Sequence, residues 1–205
     1  MTRPESSGRE VAVDAGPASA AGVDLLAVLV DPDGRPDEDA AAVDEWLDGA
    51  LSRCREQQAF RGKEDETAFF PVGRSDRPHV LAVGTGGEDG TDPERLRRAG
   101  GLAVREARRR RLGSAGLRLP PGCAGRDPTP VQAAAEGLVL GDWSFDELRD
   151  PTGEETPSSP PGRVVVHAGD LPSGSERAAD RGARLARAQN WTRGLVARPG
   201  NVATP

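Results

Sequence analysis

Tyrosine is missing from this 205-residue chain, and its other aromatics are only three tryptophans and four phenylalanines. Hydrophobic residues make up 36% of it, low for a globular protein, and much of that share is alanine. A core without large rings closes only when backbones approach one another, so thin, close-packed layers are expected. Cysteine is scarce too. Cys54 and Cys123 fit no metal-ligand spacing and are too few for a disulfide scaffold, so a reduced compartment accounts for them. No segment approaches the ~18 to 20 apolar residues of a membrane span. The N-terminus lacks the charged start and apolar run of a signal peptide. A basic excess is also absent. The formal net charge of -6 argues against nucleic acid or an anionic membrane as partner, since both leave a basic footprint. Lys63 is the single lysine among 27 basic residues, which points to codon bias rather than function. These absences leave a soluble, acidic, cytoplasmic protein of one domain, long enough to hold a core without disulfide or metal.

What is present alternates between strands and helices. Residues 1–9 are polar and expected to fray. Val11 to Val13 forms a short apolar run closed by the turn signal Asp14-Ala15-Gly16-Pro17. Leu25 to Val30 is nearly continuous in apolar residues, the mark of a strand covered on both faces. From about Glu38 to Gln57 the period turns helical, with Val43, Trp46, Leu47 and Ala50 at i, i+3, i+4 and i+7. Ala68-Phe69-Phe70 is a strand candidate. His79 to Val83 is a second buried strand, running into Gly84-Thr85-Gly86-Gly87.

Thr91 with Glu94 has the spacing of a capping box for the next helix, and Asp92-Pro93 offers an alternative cap. Leu96, Ala99, Ala103 and Ala107 are its expected buried stripe, with the arginines of 105–111 outward. Ala115 to Leu119 reads as a strand. Thr129 and Gln132 repeat the capping-box spacing ahead of a helical stripe of Val131, Ala134, Ala135 and Leu138. Residues 150–163, rich in Pro, Ser, Gly and acid, are expected to be a mobile loop. Val164 to Ala168 is a last strand, and Ser175 to about Leu195 a long helix whose Ala179, Gly182, Ala183 and Ala186 allow close approach to a sheet. The alternation predicts a sheet between helical layers.

Four segments carry a family resemblance. Phe60-Arg61-Gly62-Lys63-Glu64 resembles the Phe-x-Gly-Lys element early in leucyl aminopeptidases. The run from His79 to Gly101 is similar to that family's strand–loop–helix. Glu136-Gly137-Leu138 through Phe145-Asp146 resembles its Glu-Gly-x-x-Leu-x-x-Tyr-x-Phe-Asp element, with Trp143 in the tyrosine position. The stretch 190–205 resembles the signature that joins the family's two domains, through Arg193, Pro199, Asn201 and Pro205; Gly194 replaces the usual acid and Ala197 the usual asparagine. The resemblance implies a three-layer α/β/α, macro-domain-like fold over about residues 10–189 with a mostly parallel mixed sheet. It makes residues 190–205 the junction to a C-terminal catalytic domain. The parent enzymes remove N-terminal residues, leucine preferentially, from peptides, using two divalent metals (zinc or manganese), and assemble as homohexamers. Their metal ligands, a lysine and carboxylates that include an Asn-Thr-Asp-Ala-Glu-Gly-Arg-Leu motif, belong to the C-terminal domain. None is found in this sequence, so no catalytic or metal-binding residue is assigned, and the chain alone is expected to be inert.

The other candidate residues have structural roles that account for them. His79 and His167 lie beside or within apolar strands and read as satisfied strand histidines, because metal sites need clustered ligands. Asp31, Asp33 and Asp37 miss the calcium-loop pattern, with arginine at the fifth position and glycine at the fourth. Gly84, Thr85, Gly86 and Gly87 precede a capped helix, where backbone N–H groups hold phosphates. The loop lacks a third fingerprint glycine and a phosphate-loop lysine, so a tight strand-to-helix turn is the favoured role. The alternative is a free-standing nucleotide or ADP-ribose module, which a macro-like fold would accommodate. Arg105 to Arg111 is read as a solvated face suited to salt bridges between subunits.

Overall fold

A computed structural model describes residues 11–32, 38–73, 76–87, 91–123, 125, 127–145 and 159–198. The chain order is β1 (Val11–Ala15), β2 (Leu25–Val30), α1 (Glu38–Trp46), α2 (Ala50–Glu56), β3 (Thr67–Phe70), β4 (His79–Gly84), α3 (Pro93–Arg109), β5 (Ser114–Arg118), α4 (Thr129–Leu140), β6 (Arg163–Ala168) and α5 (Ser175–Ala197). Six strands make one sheet in the order β1-β6-β5-β2-β4-β3. Every pairing is parallel except that of edge strand β3 with β4. The apolar run of β2 places it at the centre, where both faces must be covered.

Successive strand residues alternate between the two faces, and the core divides accordingly. Leu25, Ala27, Leu81, Leu117 and Val166 pack with α3, α4 and α5. Leu26, Val28, Val80, Ala82 and Val165 pack with Val43, Leu47, Leu51 and Phe60 on the α1–α2 side. The result is the expected three-layer α/β/α sandwich on a mostly parallel mixed sheet.

The helical layer is as thin as the alanine content implies. A Cβ built on Gly137 of α4 would stand 2.0 Å from the Arg97 carbonyl oxygen of α3, and one on Gly141 would stand 2.7 Å from Gly101 Cα. On the other flank, Gly182 of α5 sits so close to α4 that its Cβ would meet the Gln132 carbonyl oxygen at 2.4 Å. Across this seam Glu136, nearly buried, receives Arg97 Nε and Nη2 on one oxygen at 2.8 and 2.7 Å, and Gln132 Nε2 on the other at 2.8 Å. A carboxylate so enclosed needs such partners, because burying it unpaired would cost several kcal/mol.

Local chemistry departs from expectation at three places. The helix expected from Glu38 to Gln57 is broken in two, with Asp48 and Gly49 in left-handed conformation (φ 50° and 76°). Asp44 holds the break, its carboxylate accepting from the Leu51 and Ser52 N–H groups and capping α2. At α3 the alternative cap prevails. Asp92 accepts from Arg95 N at 3.2 Å with Pro93 next, while Glu94 is drawn forward to Arg97 and Arg98. At α4, Thr129 is already helical, and Asp127 accepts from its N–H and hydroxyl at 2.9 and 2.7 Å; Gln132 turns to Glu136 instead. A carboxylate outcompetes a hydroxyl as acceptor for an orphan N–H. Residues 1–9, expected to fray, and all of the expected 150–163 loop before residue 159 lie outside the described residues.

The arginine run also finds partners inside the chain. Arg109 and Arg110 both bind Glu106 of their own helix, at 2.7 and 2.6 Å, and the Arg110 guanidinium lies 3.3 Å over the Phe69 ring. Hydrogen bonding from Arg109, reinforced by Arg110, holds the Glu106 carboxyl below the ordinary glutamate value. A depressed carboxyl stabilises the fold above its unfolded value and loses that contribution as pH falls through the folded value. The melting-temperature gap between wild type and Glu106→Gln is therefore expected to hold at neutral pH and to close as pH falls below the ordinary glutamate value of about 4.3. A gap that widened on acidification would contradict this ion-pair cluster.

Candidate functional site at the carboxyl ends of the strands

In an open parallel sheet, ligands collect outside the carboxyl ends of the strands, where strand order reverses. Here that point lies between β2, which leads on to β4, and β5, which leads back to β6. The glycine loop 84–87 leaves β4 at the same end. The structure fills its surroundings with residues 60–66. Gly84 N donates to Glu66 O at 2.8 Å, Thr85 N to Val30 O at 3.0 Å, and Gly86 N to Gly62 O at 2.9 Å. Glu66 in turn accepts from Arg61 N and Lys63 N at 2.9 and 3.0 Å.

Glycine is required at this seam on two separate grounds. A Cβ on Gly84 would lie 2.1 Å from Lys63 O, and Gly86 is left-handed (φ 75°) with Glu64 against it. Phe60, 1% exposed, anchors the segment in the α1–α2 side of the core. Arg98 of α3 holds the other end through Glu64 and Asp65 at 2.6 and 3.3 Å. The two sequence motifs, Phe60–Glu64 and Gly84–Gly87, are therefore one interlocked structure. Three of the loop N–H groups that would cradle a phosphate already serve protein carbonyls. The Thr85 hydroxyl, on a residue 4% exposed, has no hydrogen-bond partner among the described residues.

Sequence reasoning missed a second buried polar group at this end. Arg118, 4% exposed at the end of β5, donates through Nη1 to the Gly16 carbonyl and lies 2.6 Å from Nδ1 of His167, which is fully buried on β6. A guanidinium can only donate, so Nδ1 is the acceptor and the His167 proton sits on Nε2. Asp14 of β1 stands in register with His167, which makes a polar row across three strands. The signal was available in Arg118 itself, a charged residue ending an apolar strand. His79, at the opposite end of the sheet, accepts from Val72 N at 3.0 Å and stacks at a tilt on Phe69. It borders an open groove of about 710 Å³ with Ser19, Asp24, Arg77 and Leu112. Asp24 there is engaged with the Ser114 N–H and hydroxyl.

The junction residues divide. Arg193 is exposed near the end of α5, 5.9 Å from the Trp143 ring; Pro199, Asn201 and Pro205 lie outside the described residues. Among the described residues no three His, Cys, Asp or Glu side chains gather as metal ligands would. No helix among them is long and apolar enough to cross a membrane.

This architecture is shared with known proteins. The profile of the cytosol aminopeptidase family, N-terminal domain, matches residues 27–152. A probable cytosol aminopeptidase of Geobacter sulfurreducens is 31% identical over 170 residues, which cover 80% of this chain and 33% of the relative. One from Streptomyces coelicolor is 31% identical over 184 residues, covering 81% and 34%. A mutant tomato leucine aminopeptidase superposes with a TM-score of 0.78 at 22% identity, covering 100% of this chain and 42% of that one. The bottromycin maturation enzyme BotP, in complex with Mn, gives 0.60 at 25% identity over 90% and 34%. The fold is thus the α/β fold of the N-terminal domain of such aminopeptidases. The chain belongs to the cytosol aminopeptidase family, as its N-terminal domain, and spans about a third of the length of the curated relatives it matches.

Proposed function

We propose that this domain is the non-catalytic partner of a leucyl-aminopeptidase catalytic domain, serving its assembly or regulation in the cytosol. The observation that carries this is the family match to an N-terminal domain, in relatives of which the match covers about a third. Such an enzyme's two divalent metals, zinc or manganese, would activate water and clamp the oxyanion of a peptide bond. Among the described residues no three candidate ligands gather, and Glu64, Asp65 and Glu66 at the carboxyl end of the sheet are tied to Arg98 or to backbone N–H groups, so this donor set does not fit them. No catalytic step is assigned to this chain. Homohexameric assembly belongs to the same proposal.

The purified chain is expected to leave leucine-p-nitroanilide unhydrolysed with Mn²⁺ or Zn²⁺ added. Metal-dependent turnover abolished by chelation would overturn the proposal. A second possibility, a free-standing nucleotide or ADP-ribose module at Gly84 to Gly87, is favoured by one observation, the unpartnered Thr85 hydroxyl. Three spent N–H groups weigh against it. Calorimetric binding of ADP-ribose by the isolated chain, lost in Thr85→Val, would favour the module.

A further inference from the structure

His79 opens β4 at the amino end of the sheet, half-buried, and its ring makes a bond that holds in only one charge state. Val72, seven residues earlier and buried, donates its N–H to Nδ1 at 3.0 Å. An imidazole nitrogen accepts only while it lacks a proton, so the neutral ring carries its proton on Nε2. Protonation adds a hydrogen at Nδ1, and the acceptor becomes a second donor set against the Val72 N–H. The bond cannot survive that change. It spans the connection from β3, which ends at Phe70, to β4. Val72, Gly73, Asp76, Arg77 and Pro78 of this connection line the open groove of about 710 Å³ together with His79.

The other ties of the connection are indifferent to pH in the neutral range. Val72 and Pro78 are buried, and the Arg77 guanidinium lies 4.9 Å over the Trp46 ring of α1. The charges around the imidazole are mixed. Asp24 and Asp76, along the same groove, favour a charge on the ring. Arg77 opposes it, as does Arg110 of α3, which lies over the Phe69 ring against which His79 stacks. Imidazole is the side chain whose charge ordinarily changes between about pH 5 and 8. We infer that His79 is a pH-operated latch on this groove. Neutral, it holds Val72 and closes the connection between β3 and β4. Protonated, it releases Val72 and loosens that wall of the groove, and a return to neutral pH restores the bond.

The test pairs long-range ¹H–¹⁵N spectra of the labelled chain, which read the proton on each ring nitrogen, with native-state amide exchange at Val72. From about pH 8 to about pH 5, His79 Nδ1 should pass from bare acceptor to protonated. Over the same range the Val72 protection factor, corrected for the intrinsic exchange rate at each pH, should fall about five- to tenfold, the worth of one ordinary hydrogen bond. His79→Asn sets an amide oxygen in the place of Nδ1, an acceptor that acid does not remove, so its Val72 protection should stay high throughout. His79→Ala should show low protection at every pH. Unchanged protection of the β2 and β5 amides shows that each variant is folded. His167, the only other histidine, remains in both variants. A pH dependence arising there would persist in His79→Asn and overturn the latch. An Nδ1 that already carries its proton at the alkaline end, or Val72 protection indifferent to protonation of the ring, would overturn it as well.

Discussion

Gly137→Ala is expected to lower the melting temperature by roughly 8 to 16 °C, corresponding to about 4 kcal/mol in a chain of this length. The added Cβ would lie 2.0 Å from the Arg97 carbonyl oxygen, 2.7 Å from the Arg97 carbonyl carbon and 2.8 Å from its Cα. These are backbone atoms of a neighbouring helix, so no rotamer change relieves the overlap and α3 must move away from α4. That movement would also stretch the Arg97–Glu136 pair, which depends on the same separation. Overpacking usually costs about 1 to 3 kcal/mol, and immovable backbone places this site above that range. The same substitution at Gly194 should have the opposite sign. Nothing lies within 4 Å of its Cβ position and its φ is ordinary for a helix. Removing a helical glycine there should stabilise by about 0.5 to 1 kcal/mol. Differential scanning calorimetry of the two variants checks both signs. A Gly137→Ala protein melting like wild type would mean that the two helices are not in backbone contact.

The second large effect is expected at Gly84. Alanine there would place a methyl 2.1 Å from the Lys63 carbonyl oxygen and 2.4 Å from the Gly62 carbonyl carbon. We expect a loss of about 3 to 4 kcal/mol, an overpacking cost at the upper end because the neighbours are again backbone. Unlike the helix seam, this contact joins a loop to a strand end, so the damage should be local. The segment 60–66 should lift away, exposing the Gly84 and Gly86 N–H groups that now donate to Glu66 and Gly62. Amide hydrogen exchange reads this directly, as lost protection at both amides with the β2 and β5 amides still protected. Gly73→Ala, with open space around it, is the silent control. Uniform loss of protection across the sheet would show that the loop is not a separable unit.

Most of the fold was legible because its signals are local. The apolar runs of β2 and β4, the 3.6-residue stripe of α3 and the small-residue face of α5 each state their own burial, and the alternation of strand with helix implies a layered sheet. The cap of α3 was legible as one of two possibilities. What decided it was Glu94, which pairs with Arg97 and Arg98 one turn on rather than reaching back. The break between α1 and α2 was missed because Val43, Leu47 and Leu51 keep helical spacing across it, while the left-handed Asp48 and Gly49 interrupt the backbone without disturbing that stripe.

The amino-acid sequence alone therefore determined the element types, the thin alanine- and glycine-lined layers and the family, through motifs that survive as short strings. Tertiary structure decided what those strings do. Phe60–Glu64 and Gly84–Gly87 are separated by about twenty residues, and neither shows that it exists to fit the other. Arg118 beside His167 and Glu136 under Arg97 are likewise pairs made by strand order and helix packing. Trp191 and Leu195 of α5 are exposed because they lie off the stripe of Ala179, Gly182, Ala183 and Ala186 that packs on the rest of the domain. Hydrophobic period records which residues want cover, whereas the length of the sheet beneath them determines where that cover ends.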